Sequence, residues 1–196
     1  MKTLMTLIGL TLGVWSLLES TSILAAPIID PGTIYLAPDY AGQAVPLYVS
    51  GGDAVQGLNL HVSVEQGGPD FSPTGKLGPV ITDVDVTNRT IFAGRHDGQT
   101  TIADFPQAWV VATATTSGTV SANGILAWIT FDTTGLLEGA GPFSLTLEDP
   151  AGVPSDFAGI GARLSAGQLV ISGVPEPDAG QLGAIGLALT LLFRRK

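Results

Sequence analysis

The apolar positions of this chain change rhythm twice. Residues 4–18 form a nearly unbroken apolar run, residues 27–173 alternate apolar and polar positions in short bursts, and residues 179–193 form a second run. Alternation is sharpest in GLNLHVSVE, where Leu58, Leu60, Val62 and Val64 interleave with Asn59, His61, Ser63 and Glu65. A period of two puts the apolar set on one side of a strand and leaves the polar set, His61 included, in solvent. Further strands are predicted over Thr33–Ala37, Ala44–Ser50, Val84–Phe92, Gln107–Ala114, Ile125–Phe131, Phe143–Glu148, Ala158–Leu164 and Gln168–Ser172, with Gly, Pro, Asp and Asn clusters between them. About nine short strands predict an all-β domain, an antiparallel β-sandwich. The 26 glycines and 13 prolines fit frequent turns and few long helices.

The two end runs need a different reading. Lys2, the apolar stretch Leu4–Leu18, a polar break and the small pair Ala25-Ala26 have the three parts of a secretory signal peptide, residues 1–26, with cleavage after Ala26 or, earlier, after Ser22. At the other end, Ala179–Phe193 as a helix would cover about 22 Å of a ~30 Å hydrocarbon layer, a short transmembrane helix. Arg194, Arg195 and Lys196 behind it can reach the interface and would hold the tail on the cytoplasmic side, leaving residues 27–173 outside. Ahead of the run, the prolines of Val174-Pro175-Glu176-Pro177 favour an extended, unpaired segment.

Residues 174–196, with a Val-Pro-Glu-Pro step, an apolar stretch and a terminal Arg-Arg-Lys in that order, resemble the PEP-CTERM sorting signal of exported bacterial proteins. The resemblance implies transient anchoring in the inner membrane and a membrane-embedded, exosortase-type processing enzyme as partner. Its site residues would be Val174, Pro175, Glu176, Pro177, Arg194, Arg195 and Lys196. Within residues 27–173, AVPLYVSGGDAVQGLNLHVSVE and the segment from Gly124 to Ser172 resemble cohesin-like domains. The likeness rests on Val45-Pro46-Leu47, the Gln56-Gly57 step, Ile129-Thr130-Phe131 and the closing Gly167-x-Leu169-x-Ile171 strand, while Gly67–Thr101 departs from it. It implies a jelly-roll sandwich of the kind found in carbohydrate-binding modules.

Composition narrows the chemistry. The absence of cysteine removes disulfides, thiolate metal sites and a cysteine nucleophile. Between Pro27 and Gly173 four cations, Lys76, Arg89, Arg95 and Arg163, face fourteen carboxylates, a net charge of −10 that phosphate backbones would repel, so no nucleic-acid partner is expected. No Gly-x-Ser-x-Gly elbow, P-loop or dinucleotide fingerprint occurs. His96 and Asp97 lie in a turn composition and fall short of a ligand set. Asp83 and Asp85 would share a strand face, and Glu148, Asp149 and Asp156 surround a turn, an oxygen-rich setting that suits calcium without matching an EF-hand. Trp109, Trp128, Phe131 and Phe143 sit inside apolar alternation, which favours core packing over a sugar-stacking platform. Asn88-Arg89-Thr90 has the glycosylation pattern but reads as an ordinary hairpin set.

The expectation is therefore a non-enzymatic, envelope-sorted surface protein with an adhesion or scaffolding module that binds a cell-surface protein or an exopolysaccharide, and with no catalytic, cofactor or metal residues. The rival is a surface glycan hydrolase that uses loop carboxylates, which distant loops can bring together.

Overall fold

The structure is a computed structural model that describes residues 25–52, 54–65, 78–104, 108–148 and 151–173. The expected signal peptide and the tail of residues 174–196 lie outside the described residues.

In chain order the strands are β1 (Ile28–Ile29), β2 (Thr33–Leu36), β3 (Gln43–Ser50), β4 (Ala54–Val55), β5 (Gly57–Val64), β6 (Val80–Asp85), β7 (Thr100–Asp104), β8 (Ala108–Ala114), β9 (Val120–Ser121), β10 (Gly124–Asp132), β11 (Phe143–Thr146), β12 (Asp156–Phe157), β13 (Ile160–Gly161), β14 (Arg163–Leu164) and β15 (Gly167–Ile171). The all-β expectation holds: no helix occurs among the described residues. A five-stranded sheet runs β14-β1-β3-β10-β6. In the second, eight-stranded sheet β5 is central. β8 and then β7 lie on one flank, while the other takes β11 and, farther along, β12. β15 and β2 continue beyond β11, β13 lies beyond β12, and β4 pairs with β9 apart from both sheets.

The alternation read from β5 is what glues the sheets. Leu58, Leu60, Val62 and Val64 are buried in one cluster with Val111, Leu145 and Leu169 of their own sheet and Leu47, Val49, Ile129 and Phe131 of the other. Burying each such side chain contributes roughly 1.5–3 kcal/mol relative to exposing it. Trp109 shares the inward parity of β8 and spans the sandwich, its indole N–H donating to the Ile81 carbonyl of β6 at 2.9 Å.

Three departures from the expected strands have local causes. The strand expected over Val84–Phe92 lies earlier, at Val80–Asp85, because the Asp85 carboxylate collects the amides of Thr87 and Asn88 and turns the chain. Arg89 then takes a left-handed φ of 56°. The strand expected over Ala158–Leu164 is split. Ala158 (φ 50°) and Gly159 (φ 92°) make a two-residue hairpin turn between β12 and β13, with positive φ at both centres as tight hairpins favour. β14 has crossed to the five-stranded sheet. Finally, the sandwich is not purely antiparallel: β14 and β15 run parallel to β1 and β2 respectively. Both segments change sheets partway, the first at Asp30-Pro31-Gly32, where the Asp30 carboxylate accepts the Gly32 amide at 3.0 Å.

β2, β10 and β15 all end at one pole of the sandwich, where Gly173 is the last described residue. Fully buried Thr133 organises this pole. Its hydroxyl accepts from the Tyr40 amide (3.1 Å) and the Gln43 side-chain amide (3.0 Å), and it donates to the Ala37 carbonyl (2.7 Å) or that of Tyr40 (2.8 Å).

Candidate functional site

Ladder partners share a face, so register fixes what the eight-stranded sheet shows to the outside. Asn59, His61 and Ser63 of β5 lie beside Ala112, Val110 and Ala108 of β8, with Thr100 and Ile102 of β7 beyond. His61 corrects the expectation of a solvated side chain, being only 9% exposed. It stands in the middle row of a sheet flanked on both sides, next to Val110, so neighbouring outward side chains shield it. The returning segment before β12 is clipped to β5 by buried Ser155. Its hydroxyl accepts the His61 amide at 2.9 Å and lies 2.8 Å from the Leu147 carbonyl, to which it donates. Asn59 completes the clip by donating to the Asp156 carboxylate at 2.8 Å.

At the start of β5 this face opens into a groove of about 380 Å³. Small residues make its floor, Gly57, Ala112 and Ala114, with Ala158 on one side and Asp97–Thr100 on the other. A Cβ on Gly57 would come within 3.0 Å of the Thr113 carbonyl and 3.2 Å of the Ala158 methyl, so the depth depends on glycine. His96 and Asp97 shape the wall. The His96 Nδ1 accepts the Gly98 amide (3.2 Å), and the Asp97 carboxylate accepts the Ala114 amide (3.1 Å). Among the described residues Asp97 is the one carboxylate that lines the groove, which offers hydrogen-bonding walls and a shallow floor rather than the paired carboxylates of glycoside hydrolysis.

The other carboxylates are dispersed. Asp83 and Asp85 do share a face, outward on β6, in register with Thr130 and Trp128. Burial acts to raise the Asp85 pKa but is outweighed by hydrogen bonds from Asn88 and Thr87, which leave it below the ordinary value of 3.8. That carboxylate is thus committed to its turn, as Asp156 is to Asn59. Glu148 is exposed and its backbone bridges to Pro154; Asp149 lies outside the described residues. Among the described residues no three His, Asp or Glu side chains come together as a metal-binding group.

The aromatic expectation divides. Trp109, Phe131 and Phe143 belong to the core, as alternation indicated. Trp128 does not: it pairs with Pro46 and Asp85 on the outer side of the five-stranded sheet, and the Arg89 guanidinium lies 4.6 Å from its ring centroid. A bulge between Ile125 and Ala127 lets both Leu126 and Ala127 point inward and breaks the alternation that made Trp128 look internal. Its shared parity with Thr130 and Asp132 is the sequence signal that places it outside. Asn88, in the glycosylation pattern, uses its side-chain amide to donate to Asp85 at 2.8 Å.

The sorting residues Val174, Pro175, Glu176, Pro177, Arg194, Arg195 and Lys196 lie outside the described residues. No helix among the described residues is long and apolar enough to cross a membrane.

No family model matches the chain, and no curated protein matches it either. Solved structures do. One chain of the CaDoc0917–CaCohA2 complex is 18% identical, the match covering 74% of this chain and 99% of the other with a TM-score of 0.53. A type III cohesin module from the cellulosomal ScaE cell-surface anchoring scaffoldin of Ruminococcus flavefaciens is 14% identical, the match covering 76% of this chain and 89% of the module with a TM-score of 0.50. These likenesses show the fold, a cohesin-like β-sandwich.

Proposed function

We propose that this chain is an exported, envelope-sorted surface protein whose sandwich is a non-catalytic adhesion or scaffolding module. The observation that carries the reading is the groove on the outer face of the eight-stranded sheet. It is open and floored by small side chains, its walls are held by hydrogen bonds to the backbone, and its carboxylate among the described residues, Asp97, is already engaged as an acceptor. Such a surface suits docking of a partner protein segment better than the paired-carboxylate chemistry of glycoside hydrolysis. Support comes from the similar chains, one from a two-protein complex and one from a cell-surface anchoring scaffoldin. Against the hydrolase reading, Asp85, Asp97 and Asp156 each accept hydrogen bonds that shape the fold.

Ala112→Arg tests the groove by filling it from an outward position. The wild-type chain, immobilised, should retain a protein from the host envelope that the variant loses, with both proteins unfolding at the same temperature. Equal capture by both, or release of reducing sugar from envelope glycan by the wild type alone, would overturn the reading.

The delivery half of the proposal rests on residues 174–196. The apolar run and the terminal cations suffice for membrane retention, and Pro175-Glu176-Pro177 serves the processing enzyme. Replacing those three residues with Ala should leave the chain membrane-bound and unprocessed, whereas deleting Ala179–Lys196 should release it. Fractionation with an intact-mass measurement of the mature C-terminus checks both outcomes. A wild type that keeps Lys196 would reduce the tail to a simple anchor.

A further inference from the structure

The opposite face of the sandwich carries a second surface. On the outside of the five-stranded sheet, Pro46, Tyr48 and Ser50 of β3 lie in register with Trp128 and Ile125 of β10 and Ile28 of β1. Tyr48 is 55% exposed and Ile28 38%, so the stripe between them is open to solvent. Arg163 of β14 is in register with Ile28 at one end, and Arg89 lies over Trp128 at the other.

That placement of charge is unusual for this molecule. The described residues contain three cations, Arg89, Arg95 and Arg163, in a body with a net charge of −10. Two of the three bracket the stripe, while Arg95 reaches back to the Thr119 carbonyl at 3.3 Å. The Arg89 guanidinium sits over the Trp128 ring, a contact that consumes none of its N–H donors and leaves them for an anion. Asp83 and Asp85 lie on the same face at its β6 edge, and Asp85 is bound into its turn by Thr87 and Asn88, so what the stripe offers an acidic ligand is the pair of guanidiniums at its two ends.

The form of the surface selects among acidic ligands. β3 and β10 are each paired on both sides, so the stripe offers no strand edge for a peptide to extend. It is the outer face of a sheet, with an exposed phenol and aliphatic side chains between two cations, which suits sugar rings lying flat with carboxylates at intervals. We propose that this stripe binds an acidic, uronate-bearing polysaccharide, with Tyr48 as the stacking platform and Arg89 and Arg163 as the carboxylate partners. The groove is on the other face, so this inference and the protein-docking reading fail independently.

The full chain in detergent, titrated with sodium polygalacturonate at low salt, tests it, with neutral dextran and poly-L-glutamate as comparison ligands. Polygalacturonate should bind saturably and dextran not. Losing one charge-assisted contact should weaken binding about tenfold in each of Arg89→Gln and Arg163→Gln. Tyr48→Ala should lose binding, Tyr48→Phe should keep it, and Ala112→Arg should leave it unchanged. Added salt should weaken binding because exposed charges are screened over ~10 Å at 0.1 M. Unfolding temperatures equal to that of the wild type show that the variants are folded, and the two Arg variants decide the matter should Tyr48→Ala prove unstable. The proposal is overturned if polygalacturonate fails to bind, if poly-L-glutamate binds as tightly, if the Arg variants bind like the wild type, or if sedimentation shows instead a dimer that Tyr48→Ala dissolves.

Discussion

The two outer faces of the sandwich are built over the same core and are finished in opposite ways. Over β5 the outward row is polar in sequence yet withdrawn from solvent: His61 is buried, and Ser155 and Asn59 tie the returning segment along the flank. Across β1, β3 and β10 the outward positions include Ile28, Pro46, Tyr48, Ile125 and Trp128, yet the row stays open, with Tyr48 and Ile28 exposed. Polarity at an outward position therefore does not report exposure. What distinguishes the two faces is the returning segment tied along β5, and that is a property of topology.

The sharpest test compares an inward with an outward position. Leu60 is fully buried between the sheets, and Leu60→Asp places an unpaired carboxylate there at a cost of several kcal/mol, comparable with the ~5–15 kcal/mol that holds a domain together. The variant should be unfolded by circular dichroism. Tyr48→Asp, on an open outward position, should keep the wild-type spectrum and an unfolding temperature close to wild type. If both unfold, the stripe on the five-stranded sheet is part of the core and not a free surface.

A smaller effect tests the finish of the eight-stranded face. Ser155→Ala removes the hydroxyl that accepts the His61 amide, a loss of roughly 1–3 kcal/mol, while the Leu147 carbonyl keeps the Ser155 backbone amide as a donor. Amide exchange at His61 should accelerate while that of Val49, on the far sheet, follows global stability alone. No acceleration at His61 would mean that the segment before β12 stays docked through the β12–β5 pairing, the Asn59–Asp156 bond and the Ser155 amide's bond to the Leu147 carbonyl.

Where alternation was uninterrupted, the sequence was a sufficient guide. β5, β8 and β15 lie within a residue or two of their expected ranges because each buries one parity in the shared core. It failed where one side chain or one extra residue changed the backbone. The Asx turn at Asp85 ended β6 early, the bulge after Ile125 turned Trp128 outward, and the sheet change after Gly161 divided one expected strand. β7 was missed for a related reason: its inward positions are Thr101 and Ala103, while its largest apolar side chain, Ile102, is 55% exposed. The groove was not legible at all, since its lining joins Gly57, Ala112, Ala114 and Ala158 from three separate stretches. Of the candidate residues, the turn roles of His96, Asp97 and Asp85 became clear only with their hydrogen-bond partners.

The mildest prediction concerns the turn that carries Arg89 to the open face. The Asp85 carboxylate accepts from the amides and side chains of Thr87 and Asn88, and those bonds hold its pKa below 3.8 against the opposing effect of burial. A carboxylate whose pKa is lower folded than unfolded contributes its stabilisation fully above the unfolded value and loses it as pH falls through the folded one. Melting curves of the wild type should therefore show a component of acid destabilisation below pH 3.8 that Asp85→Asn lacks. The variant should melt slightly lower at neutral pH and approach the wild type in acid. The contribution is modest because the group is partly exposed and screened by solvent. Its functional reading is larger: loosening the turn should free Arg89 from Trp128 and weaken polygalacturonate binding without touching the groove. If the two proteins have superimposable acid limbs, the turn does not depend on the charge of Asp85, and Arg89 is held over the open face by Trp128 alone.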